Sequence, residues 1–307
     1  MMVEMKLARL SAGQGRKVEP HLPLPVRGMV GKELRPRGII EWPNKARLAV
    51  VLTFDYHGGE AAPKHPGGQT DHMKKTTYEF GLRKGIWYIL ETLDRYGIKA
   101  TFNTCGATAE QHPESVAEIK KRGHEIAGLA YLYDNVWDMD RAQEKKVMEM
   151  TTSAIQKAVG ERPQGWRTPD FAVSENTLPL LSDMGFVWDS SLLNDDLPYA
   201  LEVDKKVLVE IPSSTLINDI SFYGLPFPPR IPREVMSAWQ DEVEVLYREA
   251  QDSCRMFVPC LHPFLTGRPS ELQAFDRFLS WVCKFKGLWF ARCCDVARWW
   301  IEHEYWV

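Results

Sequence analysis

The stretch ARLAVVLTFD (46–55) is an almost unbroken apolar run that ends on a carboxylate. A run so short and so apolar has no polar face to offer water. It therefore reads as a strand buried on both sides, as in a parallel sheet covered by helices. Working outward, GIWYILETLDRYG (85–97) places apolar residues at 86, 89, 90, 93 and 96 and stops on a glycine, which predicts an amphipathic helix. The same unit recurs in KATFNTCG (99–106, strand), PESVAEIKKRG (113–123, helix) and HEIAGLAYLY (124–133, strand). A helix over 139–159, a strand at 164–167, a helix at 176–185 and strands at 186–189 and 207–213 follow. Beyond a proline-rich loop, GLPFPPRIP (224–232), come a helix at 232–252, the strand FVPCLH (257–262), a helix at 270–285, the strand LWFAR (288–292) and a helix to about 303. Seven or eight strand–helix units predict an α/β fold, a (β/α)7-8 barrel over 43–307. In such a barrel the polar residues at strand C-termini are the first place to look for chemistry.

Composition narrows the classes. With 307 residues, 44% hydrophobic and 26% charged, and 38 basic against 41 acidic side chains, the chain is neither disordered nor collagen-like, and its net charge of -3 excludes a basic nucleic-acid binder. No window offers the roughly 18 uninterrupted apolar residues of a spanning helix, and MMVEMKLARLSAGQGRK lacks the apolar stretch of a secretory signal. The expectation is a soluble, cytoplasmic protein with a small-molecule substrate, no nucleic acid and no membrane. Six cysteines with no C-x-x-C pair read as free thiols rather than a zinc site. Residues 1–42, interrupted by Pro20, Pro23, Pro25 and Pro36, read as an extended arm that either moves freely or wraps a neighbour. With the aromatic C-terminus (Trp289, Phe290, Trp299, Trp300, Tyr305, Trp306), such an arm suits a homodimer or homotetramer.

Three positions stand out. Asp55, followed by Tyr56, His57, Gly58 and Gly59, is placed to take a proton from water, although a carboxylate before a glycine pair is as readily a turn cap. Arg167, in Arg167-Thr168-Pro169-Asp170, can clamp a carboxylate or form a surface ion pair. His262 closes the apolar strand before Pro263, where an imidazole is either a proton donor to a leaving nitrogen or a buried structural group.

Taken in order, TFDYHGGE (53–60), YEFGLRKGIW (78–87), YGIKATFNTCG (96–106), RGHEIAG (122–128), WRTPDF (166–171), DSSLLNDDLPYAL (189–201), LVEIPSS (208–214) and LHPFLTGRPSELQAFDRFLSWV (261–282) resemble the polysaccharide deacetylase superfamily, carbohydrate esterase family 4. The resemblance runs from about Trp42 to Trp300 and is nearest the branch of metal-independent allantoinases, cyclic imide hydrolases and intracellular peptidoglycan-deacetylase-like proteins. It implies a distorted barrel, with Asp55 as catalytic aspartate, Arg167 as the arginine that orients it and His262 as general acid. Two of the three metal positions depart from the family's pattern. Leu129 and Tyr133 stand where two histidines would, and His57 stands about where the metal aspartate would.

Leucine ligates nothing, so the expectation is no metal and no cofactor. Without a Lewis acid, an activated carbonyl such as a cyclic amide, imide or ureide is the fitting substrate. Asp55 would deprotonate water, His262 would protonate the departing nitrogen, and backbone N–H groups at Gly58-Gly59 or the Tyr133 hydroxyl would meet the oxyanion. His57, Glu60, Tyr131, Tyr133, Asn135, Trp166 and Asp170 are the candidate substrate-pocket residues. Two other readings stay open. One is a metal-dependent N-deacetylase or deformylase of a small amide built around Asp55 and His57, and the other is a pseudoenzyme binding protein that kept the barrel.

Overall fold

The computed structural model describes residues 32–34, 40–65, 67–223, 231–251 and 253–303. The strands are β1 (Lys32–Leu34), β2 (Leu48–Val50), β3 (Thr53–Tyr56), β4 (Thr101–Thr104), β5 (Glu125–Gly128), β6 (Gly165–Trp166), β7 (Trp188–Asp189), β8 (Tyr199–Val203), β9 (Lys206–Glu210), β10 (Arg255–Phe257), β11 (Cys260–Leu261) and β12 (Leu288–Phe290). The helices are α1 (His72–Phe80), α2 (Ile86–Tyr96), α3 (Gly106–Gln111), α4 (Pro113–Lys121), α5 (Arg141–Val159), α6 (Thr177–Asp183), α7 (Asp219–Tyr223), α8 (Pro232–Glu249), α9 (Pro263–Thr266), α10 (Pro269–Val282) and α11 (Cys293–Glu302). One sheet runs β1-β8-β9-β7-β6-β5-β4-β3-β11, and a small one runs β10-β2-β12.

The run 46–55 forms two strands, not one. β2 pairs with β10 and β12, the chain breaks at Val51-Leu52, and β3 then pairs with β4 and β11. The partner breaks at the same level, where Pro259 has no N–H for the ladder, and its carbonyl accepts from the Thr53 hydroxyl at 2.7 Å. Among the described residues no backbone ladder joins β9 to β10 or β11. The Ser213 hydroxyl bridges that seam by donating to the Val258 carbonyl at 2.9 Å. The result is a distorted α/β barrel whose parallel strands all end toward one mouth.

Apolar residues cluster between the strands and the outer helices, with Phe54 stacked on Phe102 at 4.9 Å. At the opposite end Trp42, Trp289 and Trp300 pack together, so the described part of the aromatic C-terminus fills a core of its own chain; Tyr305 and Trp306 lie outside the described residues. Part of the arm read over 1–42 packs on its own chain. Lys32–Leu34 pairs antiparallel with β8, and Ile40 and Trp42 are buried, because these apolar side chains cover the end of the sheet; residues 1–31 and 35–39 lie outside the described residues. Most of the proline-rich loop, 224–230, lies outside them too.

HEIAGLAYLY departs from the strand expected over 124–133. β5 ends at Gly128, and Ala130 and Tyr133 take positive φ values of 57° and 61°. The apolar run looked like strand because Leu129 and Ala130 are buried, and the Leu129 N–H still donates to the Thr104 carbonyl as the chain leaves the ladder. No helix among the described residues is long and apolar enough to cross a membrane.

Candidate active site

The strand ends meet at the mouth. Asp55 on β3 is 3% exposed, and its Oδ1 accepts from Asn103 Nδ2 on β4 at 2.8 Å and from Arg167 Nη1 after β6 at 3.1 Å. Arg167, fully buried, is held on the other side by Thr53 Oγ1 (2.8 Å from Nη1), by the Ser190 carbonyl (2.9 Å from Nε) and by Ser190 Oγ (2.7 Å from Nη2). A guanidinium locked on four acceptors cannot turn away, so it fixes the carboxylate beside it. Burial pushes the Asp55 carboxyl upward, but the Arg167 and His262 charges and the Asn103 amide outweigh it and hold the group below the usual carboxylate range.

His262 follows β11. Its Nδ1 lies 2.7 Å from Asp219 Oδ1, and its backbone N–H donates to Asp219 Oδ2, also at 2.7 Å, which the Thr266 hydroxyl shares. Nδ1 being committed, Nε2 is the ring nitrogen left for a ligand. Burial opposes its protonation, but Asp219 overrides burial, with smaller help from Asp55 and Asp170, and raises the imidazole above its ordinary pKa. The site thus favours the ionised form of Asp55 and the protonated form of His262. A carboxylate oxygen of Asp55, Cys260 Sγ and a ring nitrogen of His262 all lie within 4.8 Å of one another, a gap that one water spans. Asp55 and His262 line a cavity of about 150 Å³ with Tyr133, Asp170, Asn218 and Ser221.

The other sequence candidates divide. Tyr133 and Asp170 are on the cavity wall, joined by a 2.9 Å hydrogen bond from the Tyr133 hydroxyl to Asp170 Oδ1. His57 sits behind the wall in a ring of Tyr78, Tyr133, Phe264 and His262, with centroids 4.6 to 5.9 Å away. Burial drives its pKa down to about 3, so it stays neutral, and its Nδ1 has no hydrogen-bond partner. Glu60, Tyr131, Asn135 and Trp166 are not brought to the cavity. Glu60 accepts from the Gly58 N–H at 2.9 Å and from Thr108, Tyr131 donates to Glu110, Asn135 is exposed and accepts from the Trp137 N–H at 3.0 Å, and Trp166 is a core residue against Phe186. Both groups expected to meet an oxyanion are thus engaged elsewhere, the Gly58 N–H with Glu60 and the Tyr133 hydroxyl with Asp170.

Sequence reasoning missed Asp219, Asn103 and Ser190. Asn103 and Ser190 lie within quoted motifs at strand ends, which was a usable signal. Asp219 lies in a loop and short helix 43 residues before its partner, and nothing local marks it.

The donors present do not reproduce the metal site that the resemblance implies. Leu129 has none, the Tyr133 hydroxyl serves Asp170, and His57 is absent from the one cluster of converging donors among the described residues, Asp55, Cys260 and His262. In that cluster a divalent ion would lie beside the Arg167 guanidinium, with one carboxylate already shared and one His nitrogen already committed. The family's three-position site does not fit this chain.

Comparison with known proteins agrees with this architecture. The model of the polysaccharide deacetylase family matches residues 67–188, and solved structures of carbohydrate esterase family 4 share the fold. It superimposes on the crystal structure of Puue allantoinase with a TM-score of 0.81 at 27% identity, covering 88% of this chain and 96% of that one. A probable polysaccharide deacetylase from Pseudomonas aeruginosa PAO1 gives the same TM-score of 0.81, identity of 27% and coverage of 88% and 96%. A peptidoglycan deacetylase from Helicobacter pylori is 24% identical over 286 residues, 81% of this chain and 92% of the relative. The proteins it resembles are named deacetylases and an allantoinase, hydrolases of C–N bonds other than peptide bonds.

Proposed function

We propose that the protein hydrolyses a non-peptide C–N bond in a small cyclic amide, imide or ureide without a catalytic metal. The observation that carries this reading is the pairing, within 4.8 Å on one cavity, of a carboxylate anchored by Arg167 and an imidazole anchored by Asp219. Asp55 takes a proton from water as its oxygen bonds to the carbonyl carbon. The C–N bond then breaks, and His262 delivers its proton to the departing nitrogen. The product acid ionises, and the proton on Asp55 restores His262. One water is consumed.

The low pKa of Asp55 keeps the base ionised but makes it weak. A weak base and no Lewis acid suit a carbonyl whose leaving nitrogen is already a tolerable anion, and suit an ordinary acetamide poorly. The allantoinase among the structural neighbours supports the ring-opening class. Wild-type protein, Asp55→Asn and His262→Asn should be assayed on succinimide, hydantoin, dihydrouracil and N-acetylglucosamine. Ring opening by the wild type that falls by about 10²- to 10⁴-fold in each variant is the expected result. Turnover of N-acetylglucosamine alone would sink the proposal, as would ring opening that Asp55→Asn leaves unchanged.

A further inference from the structure

Asp170 is a second carboxylate on the wall of the same cavity, and the general mechanism has no use for it. Its backbone is held in the left-handed region at φ 52°, with Phe171 beside it at 57° and Tyr133 opposite at 61°. Asp accepts that conformation readily, but Tyr and Phe adopt it only where packing imposes it. Its consequence is local. The strained turn exposes the Asp170 side chain, and the Tyr133 hydroxyl fixes one carboxylate oxygen at 2.9 Å, leaving acceptor capacity on the other. Among the described residues lining the cavity, His262 is the one cationic side chain. Arg167 is absent from that lining, being fully buried and spent on Asp55, Thr53 and Ser190.

From this arrangement we infer that Asp170 sets the charge class of the substrate, accepting an N–H of an uncharged ring and turning away carboxylates, including the acid formed when the ring opens. The inference rests on the ring-opening function proposed above and adds its selectivity. The substrate arrives neutral and carries an N–H donor. Hydrolysis creates a carboxylate between Asp55 and Asp170, and repulsion from two like charges favours its departure. A carboxylate-bearing substrate would meet that repulsion on entry.

The test uses full-length protein and three probes: succinimide, N-methylsuccinimide, which lacks the donor, and succinamate, the ring-opened anion. Binding is measured by calorimetry and, for the rings, turnover is also followed. Wild type should take succinimide about 10-fold or more better than N-methylsuccinimide, and succinamate should be the weakest of the three. Asp170→Asn keeps the side-chain shape. It should bring the two rings within about threefold of each other and tighten succinamate at least about 10-fold, the result expected when an unpaired carboxylate is removed. Tyr133→Phe, which leaves the carboxylate in place but unfixed, should lose part of the N–H preference and keep the exclusion of succinamate. Unchanged ratios in Asp170→Asn, with ring opening intact in the wild type, overturn this inference alone. A wild type that neither binds nor opens any neutral ring removes both it and the parent reading.

Discussion

Asp219 grips His262 twice, its Oδ1 at 2.7 Å from the imidazole Nδ1 and its Oδ2 at 2.7 Å from the same residue's backbone N–H. One carboxylate thus fixes both the ring and the strand end that carries it, and the Thr266 hydroxyl fixes the carboxylate in turn. The charge also governs protonation. Burial alone would lower the His262 pKa, and Asp219 is the largest influence that raises it. The proposed reaction needs Asp55 ionised and His262 protonated, so activity should rise at a pH below the ordinary carboxylate range and fall at a pH above the ordinary imidazole value of about 6.5. Asp219→Asn keeps the shape and removes the charge, leaving burial unopposed by it. Its alkaline limb should move to lower pH, with kcat at neutral pH falling about 10²-fold or more, as for loss of a proton donor. A pH–rate profile superimposable on the wild type would show that Asp219 only packs.

Gly85 and Pro263 meet backbone to backbone. A Cβ on Gly85 would lie 2.0 Å from the Pro263 carbonyl oxygen, and one on Gly81 would lie 2.9 Å from the Phe264 nitrogen. Both glycines have helical backbones, at the ends of the π-helical Gly81–Gly85 turn between α1 and α2, so glycine is needed there for space and not for its φ. The contact lets this turn press on the segment that immediately follows His262. Gly85→Ala cannot be absorbed by a side-chain rotation, because the obstructing atom belongs to the backbone. It should destabilise the fold by about 1–3 kcal/mol as an overpacked site does, and displace His262 enough to lower kcat more than KM changes. Thermal unfolding together with kinetics would check this; a stable, fully active variant would mean that α9 moves freely.

The contrast between these two pairs shows what the sequence could and could not reveal. The alternation of strands and helices was legible because burial on both faces of a parallel strand leaves an apolar run; Asp55 and His262 were legible because each terminates such a run, and Arg167 because it follows a short strand within the motif WRTPDF. The strand Tyr199–Val203 and helix His72–Phe80 were not read. The first pairs antiparallel with β9 across a two-residue turn outside the repeating unit. The second, described as exposed or half-buried throughout, has no fully buried face and so only a weak apolar stripe. Asp219 was invisible for another reason: its role exists only once a loop and short helix are folded over β11, and no periodicity encodes that approach. Trp166, Glu60 and Asn135 adjoin the motifs in sequence, yet the strand pleat and local hydrogen bonds direct them away from the cavity.

Metal dependence follows from Leu129 and Arg167. The first supplies no ligand where the resemblance requires one, and the second places a fixed cation 3.1 Å from the Asp55 carboxylate. Protein dialysed against a strong chelator should keep its ring-opening activity within about twofold, since no step needs a Lewis acid or a metal-bound water. Elemental analysis of the same sample would show whether metal was removed. Activity lost on chelation and restored by stoichiometric zinc would mean that Asp55, Cys260 and His262 rearrange around an ion.

Asp189 and Glu210 occupy neighbouring positions in the β7–β9 register, and both are fully buried. The Ser191 N–H and hydroxyl donate to Asp189 at 3.1 and 2.8 Å, and the Leu192 N–H donates to Glu210 at 3.0 Å, but among the described residues no cation forms a salt bridge with either carboxylate. Burial raises both carboxyls above the ordinary carboxylate range; the Asp189 charge raises Glu210 further, whereas the hydrogen bond from Glu210 partly offsets the rise at Asp189. A group whose folded pKa is raised stabilises the fold below its unfolded pKa, near 4, and loses that contribution as pH rises through the folded value. His262 has the same sign with a window starting near 6.5, whereas the depressed Asp55 contributes above about 4 and loses its share only in stronger acid. The contribution of this pair should therefore decline between about pH 5 and pH 8, against the rise that the depressed His57 and His124 supply up to about pH 6.5, so the pair is read from the difference between wild type and variant. Asp189→Asn, which retains an acceptor for Ser191 and cannot ionise, should flatten that decline and be relatively more stable at pH 8 than at pH 5. Parallel wild-type and variant melting curves across that range would show that the pair does not titrate there.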